Sequence, residues 1–422
     1  MRGLEFPQTL PNVSGAFQEV ECANLVLFFG LIFDYSWAFL QISGKYIRPM
    51  KCKYLKSALA ALIVASAPAC AEASGNSEEP APAKRATIGA YYFDGWSGKN
   101  RYDADPSQPW AKGAPTHLTK KLAEDFGFRE PVWGWRNDSQ EIMDRQIRLA
   151  AENGVDFFLF CWYWKDNKGP INEAAIESQP THASLNLYLK SKEKDKLKYC
   201  LLVANHGGSE IIGDKNWEDA VKYWTRYFSD PQYMRVGGKP LVVIFGSGAN
   251  SITDAQIKIV RETAKKLGFK DGIAIACCQG KRPSFDIATR YNVNTSYKGE
   301  SRELPYSDIA SATKSTWNGS PEQPFIPTIT CGWDKRPWEG KGPEGLGNTP
   351  VGGYYTGDTP EAFGKLLSEA IKWMDENPEK TLKERIALIY AWNELGEGGY
   401  LVPTKGDPEA KKLKTIGKIV GK

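Results

Sequence analysis

Ile386-Ala387-Leu388-Ile389-Tyr390-Ala391-Trp392-Asn393-Glu394-Leu395-Gly396-Glu397-Gly398-Gly399-Tyr400 is the stretch on which the fold turns. From Arg385 to Trp392 it reads as a strand without polar alternation, the pattern of a strand covered on both faces, as in parallel sheets flanked by helices. It then breaks into an Asn, two acids and a run of glycines. Such a change of character at one strand end is expected where a packed scaffold gives way to a functional loop.

Reading outward, seven further segments of the same kind precede it. They are Thr87 to Phe93, Val155 to Trp164, Leu197 to Ala204, Pro240 to Phe245, Gly272 to Cys278, the weak Phe285 to Ala288, and Phe325 to Cys331. Helical patterns separate them. One opens at Asp138 and Glu141, spaced as a capping box, carries Met143, Ile147 and Ala150 on one face, and stops at Asn153-Gly154. Another lays Trp217, Ala220, Val221, Trp224 and Phe228 in a stripe, a third is capped by Thr253, and a fourth begins at Thr359-Pro360. Eight apolar strands alternating with amphipathic helices predict an α/β fold of the (β/α)8 TIM-barrel type over residues 87–422, with an open doubly wound sheet as the alternative. A chain of 422 residues accommodates such a barrel as one domain.

In a barrel of this kind the chemistry sits at the C-terminal strand ends. Here those ends carry Asp94 after the first strand, Tyr163 and Trp164 after the second, Asn205 and His206 after the third, Trp333, Asp334 and Arg336 after the seventh, and Trp392, Asn393, Glu394 and Glu397 after the eighth. Neither a glycine-rich phosphate fingerprint nor a GxSxG nucleophile elbow is present, which disfavours nucleotide-dependent and serine-hydrolase chemistry. Two carboxyls from one strand end are what glycosidic cleavage uses, one protonating the leaving oxygen and one serving as base or nucleophile. On spacing alone, a capping or ion-paired acid pair in a strand-to-helix loop is the commoner reading. Asp334 and Arg336 are also spaced to pair with each other, and Trp392 is read as the last inward residue of its strand. The 14 Trp and 19 Tyr suit stacking on sugar faces as well as core packing.

Lys and Arg total 54 against 50 acids, with no block of like charge, so nucleic acid is not an expected partner. His117, His182 and His206 lack metal-ligand spacing, and Cys161, Cys200, Cys277, Cys278 and Cys331 sit in apolar runs as small buried hydrophobes. No cofactor and no metal is implied by the chemistry, although a loop-bound calcium ion stays open.

The N-terminus reads as processing signals. From Met50, a basic Lys51 and Lys53, an apolar stretch from Ala58 to Pro68, and Ala67-Pro68-Ala69-Cys70 make a signal peptide over 50–70, of lipoprotein type if cleavage precedes Cys70 and of plain type if it follows Ala69 or Ala73. Residues 71–86 form a flexible tether, and residues 1–49, including the apolar stretch Ala23 to Ile42, are expected to be upstream sequence absent from the mature protein. The expected location is the periplasm or the outer-membrane surface, with membrane contact only through a lipid on Cys70.

The motif Ala391 to Leu401 resembles the WNEWGEGxYLEP signature of the WbsX-like and glycoside hydrolase family 99-like proteins, a superfamily that includes endo-α-mannosidases. Supporting similarities run in family order through Val155 to Trp164, Val203-Ala204-Asn205, Tyr233 to Pro240, and Gly332-Trp333-Asp334 with Arg336, over residues 87–405. The resemblance implies a barrel glycosidase acting with net retention, with Glu394 as base on the sugar's own 2-hydroxyl and Glu397 as general acid, then base. Leu395 stands where relatives carry Trp, Gly396 where the mannosidases carry His, and Val203 and His206 replace the outer residues of a WANE motif. The departures leave the acid pair intact and put sugar and linkage in doubt. Two rival readings are a WbsX-type glycosyltransferase in polysaccharide synthesis and a glycan-binding lipoprotein without turnover.

Overall fold

The computed structural model describes residues 85–164, 169–246, 248, 251–293, 301–347 and 349–422, together with the backbone of four strands between residues 18 and 51. The chain divides into a unit of residues 1–81 and one of 82–422. In the first, Gln18–Cys22, Leu25–Ile32, Tyr35–Ile42 and Lys45–Lys51 pair in sequence order as an antiparallel sheet, so the apolar stretch from Ala23 carries two strands. Among the described residues no helix is long and apolar enough to cross a membrane. The signal-peptide features after Lys51, Cys70 and most of the expected tether lie outside the described residues.

In the second unit, β1 (Thr87–Tyr92), β2 (Phe157–Trp162), β3 (Lys198–Ala204), β4 (Lys239–Phe245), β5 (Ala274–Cys277), β6 (Ile287–Ala288), β7 (Thr328–Thr330) and β8 (Ile386–Tyr390) run parallel. β1 to β6 lie side by side in order, β8 pairs with β1, and β7 pairs with β8. The ring closes where β6 meets the approach to β7. Ala288 bridges Phe325 in parallel, donating from its amide to Pro324 and accepting from Ile326. The sheet is thus the expected (β/α)8 barrel rather than an open doubly wound one. β6 is two residues long and is also the faintest strand in the sequence.

All six residues of β2 and all five of β8 are buried, as the absence of polar alternation predicts. Each large apolar side chain buried in this way contributes about 1.5–3 kcal/mol relative to exposure. The intervening helices include α1 (Gln140–Glu152), α2 (Ala183–Lys190), α3 (Asp214–Phe228), α4 (Asp254–Lys266), α5 (Tyr306–Ser315), α6 (Pro360–Glu376) and α7 (Lys411–Val420). Thr253 caps α4 in a full capping box with Gln256, and Thr359 caps α6. The capping box expected at Asp138 is replaced by a simple N-cap one residue later. Ser139 accepts from the Ile142 amide, while Asp138 pairs with Arg136. Much of the aromatic load is core, since Trp96, Trp162, Trp164, Trp217, Trp224 and Trp392 are all fully buried.

Candidate active site

Beyond β8 the chain folds back as a small hairpin, with Asn393–Glu394 antiparallel to Gly399–Tyr400, instead of the strand-to-helix loop expected. Asn393 lashes this hairpin to the end of β1. Its Oδ1 accepts from the Phe93 amide at 2.9 Å, and its carbonyl accepts from the Trp96 indole at 2.9 Å. The loop is tight enough to require glycine. Gly398 has φ +80°, and a Cβ on Gly396 would lie 1.9 Å from Cε2 of Trp338. The hairpin therefore holds Glu394 and Glu397 at one edge of a cavity of about 460 Å³ at the C-terminal end of the barrel, lined also by Tyr163, His206, Tyr291 and Trp333.

The acid pair is held by tyrosines. Tyr291 donates its hydroxyl to Glu394 Oε1, and Tyr390 donates to Glu397 Oε2. Glu394 Oε2 is buried without a partner among the described residues. Burial pushes the Glu394 carboxyl well above the usual range, the nearby Glu397 charge pushes it further, and the Tyr291 hydrogen bond opposes both. Burial likewise raises Glu397 to about 7, against Tyr390 and the Lys335 charge, which lower it. Two acids that resist ionising together share protons as a pair, with Glu394 the more strongly raised of the two.

Of the residues anticipated from sequence, Glu394, Glu397, Tyr163, His206 and Trp333 reach this cavity. Tyr163 is steadied by its amide, which donates to His182 Nε2 at 2.8 Å, and the His206 ring meets Phe245 edge-on at 4.8 Å. The others serve the walls. Asp94 is buried, accepting from the Ser97 hydroxyl and from the Ser184 amide at the start of α2, and burial raises its carboxyl to about 6. Trp164 is enclosed beside Trp162. Asn205 uses both ends of its amide on backbone, donating to Gly246 and Ser251 and accepting from Ile211. Asp334 does pair with Arg336, and Arg129 joins them, also donating to the Leu395 carbonyl at 3.1 Å. Trp392 is not inward. It packs on Phe158 and donates to Gln146 of α1, in the layer between barrel and helices.

The sequence reading missed Tyr291, Tyr390, Phe93, His117, Trp338 and Cys161, which all contact the acids or line the cavity. Tyr390 was in view as a strand residue, but nothing local says which face it takes. Tyr291 lies just past the weakest strand, and His117 lies on a long loop, where pattern carries little signal. The five domain cysteines are buried and form no disulfide among the described residues.

Residues 134–411 match the family model described as Glycosyltransferase WbsX. Two curated relatives from Xanthomonas campestris pv. campestris, both named uncharacterized protein WxcX, are 23% identical over 364 residues and 24% identical over 367. Each match takes in 75% of this chain and 47% of the relative, so the chain spans about half the length of the curated relatives it matches. Among solved structures, a glycoside hydrolase-like protein matches at 14% identity and TM-score 0.52, over 82% of this chain and 98% of that one. The GH99 endo-alpha-mannosidase from Bacteroides thetaiotaomicron matches at 19% identity and TM-score 0.50, over 80% and 97%. At such identities the likeness speaks to the barrel fold alone.

Proposed function

This chain belongs to the family described as Glycosyltransferase WbsX, and we propose that it is a glycan-acting enzyme that hydrolyses glycosidic bonds with Glu394 and Glu397. The observation that carries the reading is the acid pair itself: two carboxyls with raised affinity for protons, each held by a tyrosine hydroxyl, at the edge of one cavity. In its singly protonated form the pair supplies the acid and the base that the reaction needs at once. Glu397, the less buried of the two, gives its proton to the leaving oxygen and then, as carboxylate, takes one from water. Glu394, the acid raised more strongly, carries the shared proton at rest; the proton passes to Glu397 before Glu394 draws one from the sugar's 2-hydroxyl, whose oxygen closes on the anomeric carbon. Water opens that ring from the other side as Glu394 returns its proton to the sugar's O2, with net retention.

Hydrolysis is favoured over transfer because the described lining has two carboxyls and neither a lysine nor an arginine to receive a nucleotide-sugar diphosphate. The likeness in fold to a solved endo-alpha-mannosidase supports a glycan without naming this one. Export and a lipid on Cys70 are part of the proposal on the strength of residues 50–70 alone. The decisive experiment incubates the purified protein with plant, fungal and bacterial glycans and reads released reducing ends and product mass. Release that vanishes in both Glu394→Gln and Glu397→Gln supports the proposal. Tight sugar-nucleotide binding with no release would replace hydrolysis by transfer, and glycan binding with no turnover would leave a binding protein.

A further inference from the structure

The cavity has a second polar feature, built by loops that the acid pair does not use. Phe93 stands at the end of β1, His117 on the loop after it, and Trp338 on the turn after β7, and all three line the cavity. Their rings make one cluster, with centroids 5.1 Å apart for Phe93 and His117, 5.8 Å for Phe93 and Trp338, and 6.2 Å for His117 and Trp338.

The hydrogen bonds around His117 fix how its ring is used. The Thr116 hydroxyl donates to the Gly95 carbonyl at 3.1 Å, so its oxygen is left to accept from His117 Nδ1 at 2.9 Å. With the ring proton on Nδ1, Nε2 is a bare acceptor. Among the described residues no protein group donates to it. Burial pushes the imidazole down to about 4, against the Gly95 carbonyl, which raises it, so the ring is neutral throughout the range in which the acid pair works. Trp338 is held in place from behind. The glycine at 396 is where the indole lies, since a Cβ there would come within 1.9 Å of the ring.

We propose that His117, Phe93 and Trp338 form a recognition subsite for a neutral pyranose, in which His117 Nε2 accepts a hydrogen bond from a ring hydroxyl and the two aromatic rings wall the sugar's apolar face. The inference deepens the glycan reading above and rests on it. Aromatic rings suit the C–H face of a sugar, and a neutral imidazole suits a hydroxyl. The charged groups of the described lining are the two carboxyls, which repel a uronate or a phosphorylated sugar and leave an uncharged one favoured.

The test uses the full-length Glu397→Gln protein on a glycan array of neutral hexose oligosaccharides, with uronate-bearing oligosaccharides as the counter-panel. Neutral spots are expected to bind and uronate spots to stay blank. In that background, His117→Phe is expected to weaken binding by about three- to tenfold, the range for a lost neutral hydrogen bond. His117→Asn, which keeps an acceptor, is expected to recover part of it, and Trp338→Ala to weaken every spot. With Glu397 intact, His117→Phe is expected to raise KM more than it lowers kcat. Neutral binding that is unchanged within twofold in His117→Phe, with its thermal midpoint preserved, overturns the subsite while leaving the acid pair standing. Stronger uronate than neutral binding overturns it too. No binding by Glu397→Gln together with no reducing ends released by the parent overturns the glycan reading and the subsite with it.

Discussion

Two carboxyl sites meet at one hairpin and obey opposite electrostatic rules. At Asp334, burial alone would favour the neutral acid, yet Arg336 and Arg129 outweigh it and hold the carboxyl below its usual range. Across one backbone hydrogen bond, from the Asp334 amide to the Glu397 carbonyl at 2.6 Å, Glu394 and Glu397 have tyrosine hydroxyls as their direct side-chain partners among the described residues and are pushed up. A carboxyl neutralised by arginines is architecture, because it has nothing left to exchange. A carboxyl that burial and a like neighbour keep protonated is ready to move a proton.

The largest test of this contrast is activity. Glu394→Gln and Glu397→Gln are each expected to lower kcat by about 10² to 10⁴ with the fold intact, measured on a glycan the parent cleaves. Either variant retaining full activity would show that the raised acids are not the working ones. On the other side of the contrast, Arg129→Met leaves the Asp334 carboxylate with Arg336 alone and strips a donor from the Leu395 carbonyl. Breaking a buried pair of this kind costs about 3–5 kcal/mol, and the expected result in urea is a lower midpoint with any residual activity following the folded fraction. A smaller loss is expected for Gly396→Ala, about 1–3 kcal/mol for forcing a methyl into an occupied place, with a change in KM as Trp338 is displaced.

The pH dependence follows from the same comparison. An acid that binds its proton more tightly folded than unfolded stabilises the fold at low pH, and that contribution is lost as pH rises through the folded value. For Glu397 the window runs from the unfolded carboxyl range near about 4.3 to about 7. Glu397→Gln should therefore melt higher than the parent at pH 8.5 and not at pH 4.5, by scanning calorimetry. For activity, the singly protonated pair sets an acid limb near pH 7, and a limb at pH 4 to 5 would mean an exposed, ordinary pair. The smallest effect is expected from Tyr291→Phe. Without that hydroxyl the Glu394 carboxyl rises further, and the pH–rate profile should move to higher pH.

Much of the barrel was legible because its strands are buried on both faces and therefore unbroken in sequence. Ile386 to Tyr390 and Phe157 to Trp162 need no partner to be read. The closure was not, since it rests on Ala288 meeting Phe325, an encounter that neither short segment announces. In the site, Glu394 and Glu397 stood out as two carboxyls leaving one strand end within a family-like motif, although their spacing alone favoured a capping or ion-paired reading. Asp94, Asn205 and Asp334 also stood out, and each proved to be spent on backbone amides, carbonyls or arginines. A polar residue at a strand end looks alike from sequence in either case, because what separates a site from a brace is whether its lone pairs are already taken.

The sequence by itself determined the alternation of strands and helices, which left a closed barrel and an open sheet as the choices, and the pair of acids at the end of β8, all of which follow from short-range pattern. Only the tertiary structure decided that Trp392 faces α1 and Trp333 the cavity, that Tyr291 and Tyr390 hold the acids, and that Gly396 makes room for Trp338. Those facts join residues as much as 246 positions apart. They depend on which lone pairs and which volumes remain free once every strand has taken its neighbours.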